Sequence, residues 1–266
     1  MAIFDTLGVI GCGKMSLALL KGIPAEQWPD LTGINDIDPQ QQEMFTQQFK
    51  AVIMSKAEIA EKCDTVILAV KPQQIRPVLD EIKPYMEKRH LLLSVAAGVN
   101  TADIEEYSGR KAAVIRVMPN TPCLIGQGVS VLSPGQNVQA KQVKQAADLL
   151  AGMGLVRQVE EKYMDAVTAI SGSGPAYVYL FAEAMINAGV YLGLPLDVTR
   201  QLVIGTIAGS AGMLAATQEH PAVLKDQVCS PGGTTIAAIK QMEEDGLRWA
   251  VINGIEKAYL RSIELG

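Results

Sequence analysis

Aromatic residues make up only 5% of this chain of 266 residues, although 48% of it is hydrophobic. Ala, Val, Ile and Leu must therefore fill the interior, and 24 glycines imply close backbone packing. The length allows one large domain or two of ordinary size. Histidine occurs twice, and the four cysteines (Cys12, Cys63, Cys123, Cys229) are scattered without a CxxC pair. No metal is expected, and reduced cytosolic thiols are the default. Positive charge is not in excess: the formal net charge is −5, with no dense basic run, which argues against a nucleic-acid surface. The start, Met1-Ala2-Ile3-Phe4-Asp5, lacks a basic segment followed by a long apolar one, so it does not read as a signal peptide. The longest uncharged stretches, Ala166–Ala182 and Gln201–Gln218, are diluted by Gly, Ser, Thr or Gln. They read as buried helices rather than membrane spans, and a cytoplasmic protein is expected.

What the chain does contain begins with Thr6-Leu7-Gly8-Val9-Ile10, a short apolar strand. It runs into Gly11-Cys12-Gly13-Lys14-Met15-Ser16, and Leu17-Ala18-Leu19-Leu20-Lys21-Gly22 then reads as a helix ending at a glycine. Strand, glycine turn and helix form the context a dinucleotide fingerprint needs. The first glycine makes the turn, the second admits a pyrophosphate, and the third position, here Ser16, must be small. Leu31–Asn35 is a second strand ending at Asp36 and Asp38. An acid there takes a ribose 2′-hydroxyl and favours NAD, but Asp38-Pro39 equally suits a helix start. Ala51–Met54 is a third strand, followed by Ser55-Lys56, and Thr65–Val70 is a fourth, stopping at Lys71-Pro72-Gln73. Leu91–Val95 and Ala113–Met118 follow, the first ending at Ala96-Ala97-Gly98, the second at Pro119-Asn120-Thr121-Pro122.

Helices are predicted over Gln40–Gln48, Pro72–Ile82 and Thr101–Tyr107, which gives an α/β fold with a doubly wound parallel sheet of Rossmann type. Gly128–Leu132 and Leu155–Val159 add strands around a helix at Gln139–Met153. After residue 160 helical signals dominate: Tyr163–Leu192, kinked at Gly172-Ser173-Gly174-Pro175, then Leu196–Thr217, Ala222–Val228, Thr234–Met242 and Leu247–Ile263. Gly205, Ala208, Gly209 and Gly212 would let helices pack closely. A dinucleotide-binding domain is expected over 1–160 and an all-helical domain over 161–266, which long apolar helices would bury against another copy. In that second domain, Cys229-Ser230-Pro231-Gly232-Gly233-Thr234-Thr235 delivers the chain into a helix. Its free N–H groups and dipole suit a carboxylate or phosphate, although an ordinary capped turn has the same look.

Nearly the whole chain resembles the pyrroline-5-carboxylate reductase family. The most specific stretch is Leu224–Thr235, supported in order by Ile10–Met15, Ala69–Gln73, Ser94–Gly98, Arg116–Pro122 and Gly172–Tyr177. The resemblance implies reduction of a cyclic imine to L-proline by NAD(P)H, the last step of proline biosynthesis. It also implies a helical domain that interlocks with a second subunit, giving a dimer or a higher oligomer of dimers. The implied cofactor set follows the strand ends: Ile10, Gly11, Cys12, Gly13, Lys14 and Met15, then Asn35 and Asp36, then Lys56, then Ala69, Val70, Lys71 and Pro72, then Ala96, Ala97 and Gly98. It places the substrate carboxylate on Ser230, Gly232, Gly233 and Thr234, with Thr235 as the catalytic residue at the imine nitrogen and Met118 and Asn120 near the nicotinamide.

Three residues depart from the family pattern. Ser16 replaces a common Ala, Cys123 replaces another, and Lys56 stands where relatives often have Asn near the adenosine end. Lys56 points to NADP through its charge, with NAD as the alternative. Little acid–base machinery is visible. His220 precedes Pro221 and reads as a surface or helix-entry residue, His90 as solvated, and Lys71 as structural or phosphate-side. An imine can carry its own proton, so positioning is the main demand on the protein. The rival readings are a related reductase with a catalytic lysine, for which no motif surrounds Lys162, Lys225, Lys240 or Lys257, and a dinucleotide sensor, which would not need the Ser230–Thr235 loop.

Overall fold

The computed structural model describes residues 3–265. Met1-Ala2 and the outer bounds 1 and 266 of the expected domains lie outside the described residues. The first part of the chain runs β1 (Thr6–Ile10), α1 (Lys14–Lys21), β2 (Leu31–Asn35), α2 (Pro39–Gln48), β3 (Val52–Ile53), α3 (Lys56–Lys62) and β4 (Thr65–Leu68). It continues through α4 (Pro72–Ile82), β5 (Leu91–Ser94), α5 (Thr101–Tyr107), β6 (Ala113–Met118), β7 (Gly128–Pro134), α6 (Ala140–Ala151) and β8 (Gly154–Gln158). The eight strands form one sheet in the order β3-β2-β1-β4-β5-β6-β7-β8. The chain builds outward from β1 in one direction and then from β4 in the other, so the order reverses between these two strands. In open α/β sheets that reversal marks the ligand crevice, at the carboxyl ends of the strands.

Strands β4, β5 and β6 are buried at every residue, which accounts for their unbroken apolar runs. One added strand departs from the parallel pattern: β7 lies antiparallel to β6, with Arg116 opposite Ser133. The intervening residues 119–127 are too few for a crossover, which needs about a dozen or more. They make a tight turn over Thr121–Ile125, reversed at Gly126, whose φ is 71°.

Local signals explain the helix ends. The Asp38 side chain accepts from the Gln40 N–H at 2.9 Å with Pro39 at the first helical position, so Asp38 caps α2. Ser55 and Glu58 form a reciprocal capping box on α3. The Ser55 backbone N–H, then its hydroxyl, then Lys62 hold the Glu58 carboxyl below its usual range. Helix α1 starts at Lys14, ahead of the expected Leu17, and ends at Gly22 in right-handed conformation with φ −75°.

The expectation of a solvated His90 is overturned: the residue is fully buried. Its Nδ1 accepts from the Glu87 N–H at 2.8 Å and its Nε2 lies 2.8 Å from the Ala60 carbonyl, which selects the neutral tautomer protonated on Nε2. Both ring nitrogens are satisfied, which is what allows a polar ring inside. His220 does enter a helix, accepting from the Ala222 N–H at 3.2 Å.

From Met164 the chain is helical: α7 (Met164–Val167), a π-helical turn at Thr168–Gly172, α8 (Gly174–Tyr191), α9 (Leu196–Thr217), α10 (Pro221–Gln227), α11 (Thr234–Glu244) and α12 (Leu247–Leu265). The π turn is the form the predicted interruption takes. By compactness residues 3–173, with 258–265, make one unit, and Gly174–Lys257 make a second. Among the described residues, the buried apolar clusters draw on those up to Val167. Helix α8 has no buried residue and α9 has two, Thr199 and Val203, so the two uncharged stretches are not buried helices within this chain. The pair touches closely at Gly189 and Thr199, but nothing lies against Gly205, Gly209 or Gly212. Among the described residues no helix is long and apolar enough to cross a membrane.

Candidate active site

The glycine turn after β1 sits at the switch point. The Gly11 N–H donates to the Asn35 carbonyl at 2.8 Å, and the Ala69 N–H donates to the Ile10 carbonyl at 2.8 Å, so the turn is bound to both neighbouring strands. Gly11 has φ +100°, and a Cβ there would meet the Ala69 carbonyl oxygen at 2.5 Å. Only glycine satisfies both conditions. Gly13 precedes α1 with no side-chain cap, and the first turn of that helix carries no acid. Gly13 and Lys14 are exposed, so the helix N-terminus is open to an anion. The Ser16 hydroxyl, fully buried, donates to the Gly11 carbonyl, which gives this serine a role that alanine could not fill. Burial, and then the nearby Asp36 charge, push the Cys12 thiol up to about 12.

At the β2 end, Asp36 accepts from the Cys12 N–H at 2.6 Å and from the Asp38 N–H at 2.9 Å. The carboxylate is thus fixed beside the glycine turn, whereas Asp38 is engaged as a helix cap. Asn35 Nδ2 donates to the Met54 carbonyl at 2.7 Å, tying the ends of β2 and β3 together. Lys56, the first residue of α3, places its Nζ 2.7 Å from Glu81 of α4. Ile37, between the two aspartates, is 94% exposed. Sequence reasoning missed it; an apolar side chain between two strand-end acids was the available signal.

Lys71 precedes α4, is exposed, and makes no cap. Ala69, Val70 and Pro72 beside it are half-buried. At the β5 end Ala96 is buried and Gly98 has φ +78°. Beyond β6, Asn120 is held on both sides: its Nδ2 donates to the Ser171 carbonyl at 3.0 Å, and its Oδ1 accepts from the Val129 N–H at 2.9 Å. Gly172 lies against the Met118 thioether. The π turn is therefore the wall beside Met118 and Asn120. Arg116, inside β6, holds the segment that leads into it: Nη1 lies 2.9 Å from Glu161 and Nη2 3.5 Å from Asp165, which also accepts from the Ser262 hydroxyl at 2.8 Å. This ionic group, buried at the arginine, was not foreseen, because its carboxylates lie more than forty residues from the arginine.

In the second unit, Ser230–Thr235 keeps the form read from the sequence. Gly232 has φ +68°, with open space where a Cβ would lie. The Gly233 N–H donates to the Ser230 carbonyl at 3.0 Å, and the Ser230 hydroxyl lies against Gly233, leaving no room there for a side chain. Gly233 precedes α11 without a side-chain cap, and the first turn carries no acid. Ser230 and Thr234 are exposed and Thr235 is half-buried. Uncapped N–H groups, the dipole and a hydroxyl can together receive a carboxylate.

A glycine turn only glycine can make, a fixed acid on the next strand and an open helix terminus at the switch point define a dinucleotide-binding protein of the Rossmann class. Residues 6–98 match the model of the NADP oxidoreductase, coenzyme F420-dependent, family, and residues 161–265 match that of pyrroline-5-carboxylate reductase dimerisation. Pyrroline-5-carboxylate reductase of Glycine max is 40% identical, covering 98% of this chain and 96% of that protein. The Corynebacterium melassecola protein of that name is 39% identical over 98% of each. A Plasmodium falciparum pyrroline carboxylate reductase, solved with NADP bound, superposes with a TM-score of 0.90 at 35% identity, covering 100% of both chains. The chain belongs to the pyrroline-5-carboxylate reductase family.

Proposed function

We propose that this chain reduces 1-pyrroline-5-carboxylate to L-proline with hydride from NAD(P)H, NADPH preferred, as the last step of proline biosynthesis. The observation that carries this reading is the full-length likeness to reductases of that name. Residues 1–160 serve the nucleotide and 161–266 the substrate and self-association. The exposed apolar faces of α8 and α9 support a dimer or a higher oligomer of dimers. The cytoplasm is the proposed location, with no nucleic acid or membrane as partner.

The Gly11–Met15 turn and the α1 terminus hold the pyrophosphate. Asp36 accepts a ribose hydroxyl, and Ile37 offers the adenine an apolar face. Lys56 favours the NADP 2′-phosphate. Lys71 and Pro72, Ala69 and Val70, and Ala96 to Gly98 line the cofactor's course. Met118 and Asn120 flank the nicotinamide. When bound, NADPH supplies the hydride to the imine carbon. The N–H groups at Thr234, Thr235 and Ile236 hold the substrate carboxylate, with Ser230, Gly232 and Gly233 shaping the loop. The Thr235 hydroxyl orients the imine nitrogen and hydrogen-bonds the amine as it forms. No protein acid is required, because the imine brings its own proton. Proline-dependent reduction of NADP at alkaline pH tests the reading. Absence of that activity in protein that binds NADP would favour a sensor instead.

A further inference from the structure

We propose that Glu81 of α4 sets the balance between NADPH and NADH, by competing with the cofactor's 2′-phosphate for Lys56. This rests on the reading that the adenosine ribose lies at the ends of β2 and β3. These strands are adjacent and parallel, with Ile34 opposite Ile53, so Asp36 and Lys56 leave the sheet along the same edge. The bond from Asn35 Nδ2 to the Met54 carbonyl holds the two ends in register.

The charges there oppose one another. Asp36 is fixed by two backbone N–H groups, and its carboxylate accepts a free 2′-hydroxyl but repels a 2′-phosphate. Lys56 is the cation the β3 end supplies, and Glu81 already holds it at 2.7 Å. Glu58, the carboxylate in the first turn of α3 itself, is engaged by Ser55 and Lys62 instead. The Lys56 and Glu81 side chains are 25% and 48% exposed, so water screens the pair and its rupture costs only a few-fold in affinity. A phosphate, with a charge of about −2, outbids a single carboxylate for the ammonium. When the ribose carries no phosphate, Lys56 stays with Glu81, and NADH meets no unpaired cation. Glu81 therefore lowers NADPH affinity while leaving NADH acceptable.

The test is direct binding of NADPH and of NADH to the full chain, in the native protein and in Glu81→Gln and Lys56→Ala, with melting temperature as the check on folding. Glu81→Gln is expected to tighten NADPH about threefold to fivefold and to leave NADH within about twofold. Lys56→Ala is expected to weaken NADPH about tenfold and to spare NADH. If Lys56→Ala shifts the ratio and Glu81→Gln does not, the competition is disproved while the ribose reading stands. If neither shifts it, both fall.

Discussion

The sheet unit and the helical unit treat apolar side chains in opposite ways. In the first, whole strands are buried and two core clusters fill the faces of the sheet. In the second, Leu180, Tyr191 and Leu192 are 68%, 90% and 79% exposed, and α11 has no buried residue. Their glycines differ in the same sense. Gly11 is pressed against backbone, whereas Gly232 has open space around it. One unit is closed by its own residues. The other leaves its apolar helix faces and an uncapped helix terminus open.

The largest expected effect would break the first half of that contrast. Gly11→Ala adds a Cβ against the Ala69 carbonyl at a φ of +100°, and should weaken NADPH binding more than about hundredfold and lower the melting temperature. Gly232→Ala, at φ +68° in open space, should cost only about 1–2 kcal/mol and spare NADPH binding. Equal losses in the two variants would erase the distinction. Next, Thr235→Val keeps the shape and removes the hydroxyl. kcat/KM for pyrroline-5-carboxylate should fall on the order of 10²-fold, with NADPH affinity and melting temperature nearly unchanged. Near-normal turnover would remove Thr235 from the chemistry.

Sedimentation probes the open faces. The native chain should be at least dimeric at micromolar concentration. Leu180→Asp loses about 2 kcal/mol of apolar burial per subunit, about 4 kcal/mol per dimer, and should weaken association on the order of 10³-fold. A monomeric native protein would contradict the account. The effect confined to alkaline pH lies in the closed unit. Burial raises the thiols of Cys12 and Cys63 from 9.0 to about 12 and about 11. Their folded-state pKa values exceed the unfolded ones, so this contribution is whole below pH 9 and fades as pH rises toward 11–12. Melting temperature should drop across that window, and Cys63→Ala should flatten the drop.

Much of the fold was legible because local rules and tertiary packing agree. The bounds of β1, β2, β6, α4, α5 and α9 coincide with the apolar runs and turn residues that predicted them. What escaped depends on distant partners. His90 looked solvated beside Lys88 and Arg89, but Ala60 and Glu87 satisfy its ring inside. The direction of β7 hung on how a short turn reverses, and the Arg116 group on helices far along the chain. At the candidate site, glycine spacing announced the turn of β1, because φ and close approach are local demands. Nothing local announced that Glu81 holds Lys56, or that Ser16 bonds Gly11. Apolar content marked α8 and α9 for burial but does not say which molecule covers them, and within one chain they lie open.

The most direct measurement follows NADPH oxidation with 1-pyrroline-5-carboxylate as acceptor, with proline quantified alongside. The account predicts proline formed in equal amount to NADPH consumed, at a rate above that with NADH. Protein that binds NADPH yet forms no proline would contradict it.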